Sequence, residues 1–219
     1  MKAIIVSDLH LGSRYFLREL FMKFLDRLPP GADLVFNGDT IDLLHRGLLP
    51  EDQRVLDRIR EESLRRRVVW IYGNHDEDYR MADPARIEFC MDYSIGKRLF
   101  VAHGYDFDNV MPYHRAFVRF FRLMHRLRIA LGAEAVHVAH YAKKWHFLYD
   151  VLLKNVTMNA VEHAREQGYE AVACGHTHYM QDVMLGGIRY LNTGAWTEPP
   201  TYYLEVDEQA MRMVEFRPS

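Results

Sequence analysis

Met1-Lys2-Ala3-Ile4-Ile5-Val6-Ser7-Asp8-Leu9-His10-Leu11-Gly12 opens the chain. The apolar run Ala3–Val6 reads as a buried strand, and just beyond it a carboxylate and an imidazole stand two positions apart. In extended backbone Asp8 and His10 would share one face, so the strand would deliver two metal-type ligands at its carboxyl end. The same pattern returns along the chain. Asp33–Phe36 runs into Gly38-Asp39, Val68–Tyr72 into Gly73-Asn74-His75-Asp76, Arg98–Ala102 into His103-Gly104, and Ala171–Cys174 into Gly175-His176-Thr177-His178. In a sheet of mainly parallel strands the carboxyl ends face one crevice, so residues this far apart in sequence can converge there. Gly38 and Gly73 allow turns and close backbone approach directly before a ligand.

Around these runs the texture is layered α/β, with short apolar strands alternating with helical-period segments. Leu17, Leu20, Phe21, Phe24, Leu25 and Leu28 share one helical face, which Pro29-Pro30-Gly31 ends. A charged helix covers about residues 51–66. Tyr93–Ile95 and Arg98–Ala102 pair as a hairpin across Gly96-Lys97. After residue 168 the pattern is mostly β: Gln181–Leu185 and Ile188–Asn192 flank a Gly186-Gly187 turn, and Tyr202–Val206 follows.

Between about residues 108 and 168 the pattern is helical throughout and reads as an insertion within a single domain spanning 1–219. Tyr113, Phe117, Phe120, Phe121, Met124, Leu127 and Leu131 form an apolar stripe beside Arg115, Arg119, Arg122 and Arg126. A second helix carries Val138, Tyr141, Trp145, Leu148 and Leu152 on one side. From Tyr113 to Lys154 there are eight Lys/Arg against Glu134 and Asp150, a balance of +6 in a chain whose total is −2. Three readings stand: a solvated helix face, a lid whose arginines pair with substrate phosphate, or a peripheral contact with anionic lipid headgroups.

Bulk composition narrows the rest. At 219 residues and 49% hydrophobic, the chain supports one well-buried core. Its slight net negative charge argues against a nucleic-acid partner. Cys90 and Cys174 make no disulfide framework, which fits a reduced, cytoplasmic compartment. The sequence shows no signal-peptide pattern and no long apolar run, so a soluble protein is expected, at most peripheral at the inner membrane. No protein partner is indicated. Of the 12 histidines, His45, His114, His125, His137, His140, His146 and His163 lie outside the strand-end segments.

Carboxylate, imidazole and one amide oxygen suit Mn, Fe or Zn better than Ca or Mg, and the absence of thiolate argues against a structural zinc site. A carboxylate such as Asp39 can bridge two ions, which would share a hydroxide nucleophile for attack on phosphorus. Metal-bound water can have a pKa near 7, so no separate base is required.

Taken in order, Asp8-Leu9-His10, Gly38-Asp39, Gly73-Asn74-His75-Asp76, His103-Gly104 and Gly175-His176-Thr177-His178 resemble the motif set of calcineurin-like metallophosphoesterases. The resemblance implies a four-layer α/β fold, a β-sandwich flanked by helices, in place of a simple doubly wound sheet. It also implies that Asp8, His10 and His178 bind a first divalent metal, that Asp39 bridges, and that Asn74, His103 and His176 bind the second. His75 would act beside the phosphate as general acid or charge stabiliser, with Asp76 orienting it. Ser7-Asp8-Leu9-His10-Leu11-Gly12, the helical insertion and Leu191-Asn192-Thr193-Gly194-Ala195-Trp196-Thr197-Glu198 are similar to the UDP-2,3-diacylglucosamine pyrophosphohydrolase branch. That branch carries arginine in place of His75 and aspartate in place of Tyr105, which leaves the substrate open. The activity implied is hydrolysis of a phosphodiester or pyrophosphate in a small molecule or lipid. The alternatives are a general phosphomonoesterase, a small-nucleotide phosphodiesterase, or a non-catalytic scaffold.

Overall fold

The computed structural model describes residues 2–42, 48–110, 123–124, 127–132 and 146–218. β1 (Ala3–Val6), β2 (Asp33–Asn37), β3 (Val68–Ile71) and β4 (Ile87–Cys90) run parallel. β10 (Thr201–Val206) and β11 (Met211–Phe216) extend this sheet antiparallel from β1, in the order β11-β10-β1-β2-β3-β4. A second sheet has the order β5-β6-β7-β9-β8. Its parallel centre is β6 (Leu99–Ala102), β7 (Ala171–Cys174) and β9 (Ile188–Asn192), flanked antiparallel by β5 (Asp92–Ile95) and β8 (Gln181–Leu185).

The period-two alternation of strand side chains sorts these residues into layers. Ala3, Ile5, Val35, Val69 and Ile71 point inward and meet Val101, Ala173 and Leu191 of the second sheet. Ile4, Val6, Leu34, Phe36, Val68 and Trp70 point outward. They are covered by α1 (Arg18–Asp26), through Phe21, Phe24 and Leu25, and by α2 (Pro50–Arg65), through Val55, Leu56 and Ile59. Phe100, Val172 and Tyr190 face the other way, against Ala160, Val161 and Ala164 of α3 (His146–Glu166). Helix, sheet, sheet, helix is therefore the layer order, as the resemblance implied. Central strands buried on both faces read as continuous apolar runs, and each aliphatic side chain so buried contributes about 1.5–3 kcal/mol.

α2 begins with Pro50 in its first turn and Glu51 and Asp52 beside it, with Arg65 in the last turn, a charge order that suits the helix dipole. Asp52 is fully buried and accepts from Arg18 Nε at 2.8 Å and from the Gly12 backbone N–H at 3.1 Å. This ties both outer helices to the loop that follows β1.

β4 and β11 have no counterpart in the sequence reading. β4 is a short edge strand, and β11 interleaves charge with apolar residues (Met-Arg-Met-Val-Glu-Phe), so neither makes a clean apolar run. Among the described side chains of α3 the buried face is Tyr149, Leu153, Val156, Ala160 and Ala164, with the expected Leu152 half-buried at its edge and the Leu148 side chain outside the described residues. This face is set by the need to cover β7 and β9. The expected apolar and basic stripes at 113–131, and the start of the second helix, fall largely outside the described residues. Among the described residues no helix is long and apolar enough to cross a membrane.

Candidate metal centre

The ligand-bearing segments follow β1, β2 and β3 of one sheet and β6 and β7 of the other, so the site lies where the carboxyl ends of both sheets meet. Backbone hydrogen bonds stitch the segments together. The Asp8 N–H donates to Gly38 O at 3.1 Å, His10 N–H to Asp39 O at 2.9 Å, and Gly175 N–H to His103 O at 2.8 Å. Asp8, His10, Asp39, His176 and His178 all have positive φ, between 50° and 63°. Asp8 and His10 are thus not in extended backbone; a left-handed conformation at each turns both side chains inward. Such φ values are uncommon outside glycine, and they cluster at functional sites when the surrounding structure imposes them. Close approach does the rest: a methyl at Gly73 would collide with the Asp39 carboxylate, and one at Gly175 with that of Asp8.

Asp8, His10, Asp39 and His178 form one group whose ligand atoms all lie within 4.8 Å of one another, and each residue is buried. His10 Nε2 is 3.1 Å from His178 Nε2 and 3.9 Å from both Asp8 Oδ1 and Asp39 Oδ2; His178 Nε2 is 3.2 Å from Asp8 Oδ1. Asp39 also reaches the second sheet, with Oδ2 3.2 Å from His103 Nε2. Its other oxygen accepts the His75 backbone N–H at 2.9 Å. The His103 ring is anchored through Nδ1, 2.9 Å from Asn37 O, which leaves its buried Nε2 turned towards the Asp39 carboxylate. Beyond it, His176 Nδ1 lies 3.1 Å from Asn74 Oδ1.

These residues fit divalent metals. Two buried carboxylates and convergent imidazoles make a corner that attracts a cation, and the mixed N/O donor set suits Mn, Fe or Zn. Titration behaviour carries the same sign. Burial pulls the Asp39 carboxyl upward, but the charges of His103, His10 and His75 and a hydrogen bond from His103 hold it well below the usual range. Burial depresses the His103 pKa, yet Asp39, then Asp8, raise it from 6.5 to about 10. Proton and metal ion are alternative partners for this carboxylate.

His75 stands half-buried at the rim, its ring edge-on to His10 with centroids 4.9 Å apart. Its Nδ1 is 3.1 Å from Asp42 Oδ1, and its Nε2 is 3.9 Å from Asp39 Oδ2. Burial lowers the His75 pKa, but the Asp42 hydrogen bond and the charges of Asp39 and Asp42 raise it overall. The expectation that Asp76 orients His75 is corrected here. Asp76 is fully buried and accepts from the N–H groups of Gly73 at 2.7 Å, Thr40 at 2.9 Å and Ile41 at 3.4 Å, and from Trp70 Nε1 at 3.1 Å. It joins the loops after β2 and β3. Burial dominates its pKa, raised to about 6 against the pull of the Gly73 and Thr40 hydrogen bonds.

Two carboxylates at the site were missed by sequence reasoning. Asp42 lies three residues past Asp39, and Asp108, with its Oδ2 2.9 Å from His176 Nε2, lies five past His103. Neither adjoins a ligand in sequence, so no local spacing marks it. The segment after β9 buttresses the site from behind. Asn192 Nδ2 donates to Gly175 O at 2.6 Å, Trp196 N–H to Asp8 O at 3.0 Å, and the Trp196 ring is buried against Phe21. Cys174 is buried below the His176 loop, its thiol pushed up to about 12 by burial. Of the histidines outside the motifs, His163 packs on Phe100 and Phe107. His45, His114, His125, His137 and His140, and the side chain of His146, lie outside the described residues.

The sequence profile described as calcineurin-like phosphoesterase matches residues 1–180. The chain belongs to that family. No curated protein sequence matches this calcineurin-like phosphoesterase. Among solved structures it is similar to a single mutant of Vps29 from Entamoeba histolytica, at 14% identity, 99% and 100% coverage of the two chains and a TM-score of 0.52. Wild-type Vps29 from the same organism, complexed with zinc, is similar at 15% identity, the same coverage and a TM-score of 0.50. YfcE, a phosphoesterase from E. coli, is similar at 18% identity with 99% and 100% coverage and a TM-score of 0.47. At such identities the likeness to the two Vps29 structures speaks for the fold alone.

Proposed function

We propose that this calcineurin-like phosphoesterase hydrolyses a phosphodiester or pyrophosphate bond at a pair of divalent metal ions. The observation that carries the reading is Asp39 Oδ2, which is within reach of imidazoles from both sheets, 3.9 Å from His10 Nε2 and 3.2 Å from His103 Nε2. Asp8, His10 and His178 would hold one ion and Asn74, His103 and His176 the other, with Asp39 shared. Bound there, the ions would supply a water of lowered pKa and neutralise charge on the phosphate.

The chain's own groups do the rest. Asp42 holds His75 through Nδ1, which leaves Nε2 facing the centre. From there His75 would donate a proton to the leaving oxygen, and it would balance charge on the phosphate before transfer. Asn74 would sit against a phosphate oxygen beside it. Manganese is the first metal to test, with iron and zinc as alternatives. A nucleotide-sugar lipid resembling UDP-2,3-diacylglucosamine is the first substrate, on the strength of the Ser7–Gly12 opening and the Leu191–Glu198 segment.

The test is hydrolysis of bis-p-nitrophenyl phosphate, p-nitrophenyl phosphate and UDP-2,3-diacylglucosamine by metal-stripped and manganese-restored protein, with Asp39→Ala as the blank. Release of UMP from the lipid, lost in the variant, supports the full reading. Turnover of only the generic esters keeps the phosphoesterase and discards the lipid. No turnover with metal bound sinks the catalytic reading and favours a binding scaffold.

A further inference from the structure

His176 is the ligand candidate whose ring is held at both nitrogens by side chains from other loops. Nδ1 is 3.1 Å from Asn74 Oδ1, and Nε2 is 2.9 Å from Asp108 Oδ2. Two donors each about 2.1 Å from a shared ion and at right angles to one another stand about 3 Å apart, so the Asn74–His176 separation is that of neighbouring ligands. Only one ring nitrogen of a neutral imidazole offers a lone pair, and the hydrogen bond at the other decides which. A carboxylate at Nε2 accepts and cannot donate, so it places the proton on Nε2 and leaves Nδ1 open.

Asp108 is itself held in place. It is buried, and its Oδ1 accepts the Val110 backbone N–H at 2.8 Å. Its loop is pinned to α3 on both sides: Asn109 N–H donates to Asn155 Oδ1 at 2.8 Å, and Asn159 Nδ2 donates to Phe107 O at 2.8 Å. His103 is handled by the same rule from the opposite nitrogen, with Nδ1 given to Asn37 O and Nε2 turned towards Asp39.

We propose that Asp108 is a positioning residue for the second metal ion: by accepting from His176 Nε2 it fixes the tautomer and ring plane that present Nδ1 beside Asn74. The inference rests on the two-metal reading above. It makes α3, among whose described side chains none is a ligand candidate, a support of the metal site through the Asp108 loop. Outer partners of this kind are worth about 10–100-fold in metal affinity.

Asp108→Asn is the informative change. The amide keeps an oxygen for Val110 N–H, but it turns an N–H towards His176 Nε2 and so favours the tautomer whose Nδ1 cannot ligate. The full chain, stripped of metal, is titrated with Mn(II), with the free ion followed by electron paramagnetic resonance. The expected result is a first equivalent bound as tightly as in the wild type and a second weakened about 10–100-fold. Unchanged second-site affinity, or equal weakening of both sites, would overturn the proposal. Long-range 1H–15N correlation on the metal-free wild type needs no variant: a proton is expected on Nε2 of His176, facing Asp108, and an unprotonated Nε2 would overturn the proposal as well. Should the wild type bind fewer than two ions, the two-metal reading fails, and the wild-type tautomer still decides what Asp108 does.

Discussion

The carboxylate of Asp39, at the end of β2 in one sheet, lies 3.2 Å from the imidazole of His103, at the end of β6 in the other. This pair spans the seam of the sandwich, so the site is complete only when the two sheets are stacked. Its energetics are pH-dependent. His103 has its pKa raised from 6.5 to about 10 in the folded protein, so it takes up a proton more readily folded than unfolded. The stability it contributes is therefore present in full below about pH 6.5 and lost as pH rises towards 10. In chelator-treated protein the urea midpoint is expected to fall across that window. Asp39→Asn should flatten the slope, and a midpoint independent of pH in the wild type would contradict the pairing.

The hydrogen bond between Asp42 and His75 predicts a shift in the pH profile of activity. Asp42 favours the protonated ring, so Asp42→Asn should lower the His75 pKa. The decline of kcat/KM on the alkaline side, where the proton donor is lost, should then begin at a lower pH than in the wild type. His75→Gln should remove that limb and cost about 10²–10⁴-fold in rate. An identical alkaline limb in wild type and Asp42→Asn would exclude the dyad.

Asp76 should behave as a structural tie. Replacing it with asparagine turns an amide donor against N–H groups of Gly73, Thr40, Ile41 or Trp70 that a carboxylate oxygen now satisfies. Unpairing one or two buried donors costs about 2–4 kcal/mol, readable by chemical denaturation. In folded Asp76→Asn protein the shape of the pH profile should stay as in the wild type. A profile altered like that of His75→Gln would restore a direct role in orienting the histidine.

Gly73→Ala tests close approach. The new methyl would overlap the Asp39 carboxylate and crowd the His103 ring, displacing the shared ligand. Metal uptake at both sites is expected to weaken together, with at least about 10²-fold loss of rate, since small misplacements at a reacting centre cost that much. Calorimetric titration with Mn(II) gives the answer: near-normal binding would mean that the loop after β3 yields without moving Asp39.

Much of this protein is legible in one dimension. The apolar runs before Asp8, Asp39, Asn74, His103 and His176 identify buried strands, because a strand covered on both faces needs apolar residues at nearly every position. Ligands placed at the strand ends then mark where the crevice lies. β4 and β11 escaped because edge strands carry charge on their open face. Asp76 was misread through its adjacency to His75: neighbours in sequence, the two side chains are turned to different partners, one to the loops beneath and one to Asp42.

The sequence by itself determined which atoms are available: carboxylates, imidazoles and one amide at the ends of apolar strands, a donor set that suits divalent metal ions. Only the tertiary structure decided how they are aimed. Left-handed backbone at Asp8, His10, Asp39, His176 and His178 is imposed by hydrogen bonds between loops and by glycines packed against carboxylates. Asp42 and Asp108 became partners of His75 and His176 through the meeting of separate loops. Strand identity follows from local periodicity, whereas side-chain direction and tautomer depend on contacts between segments distant in the chain, which no local pattern encodes.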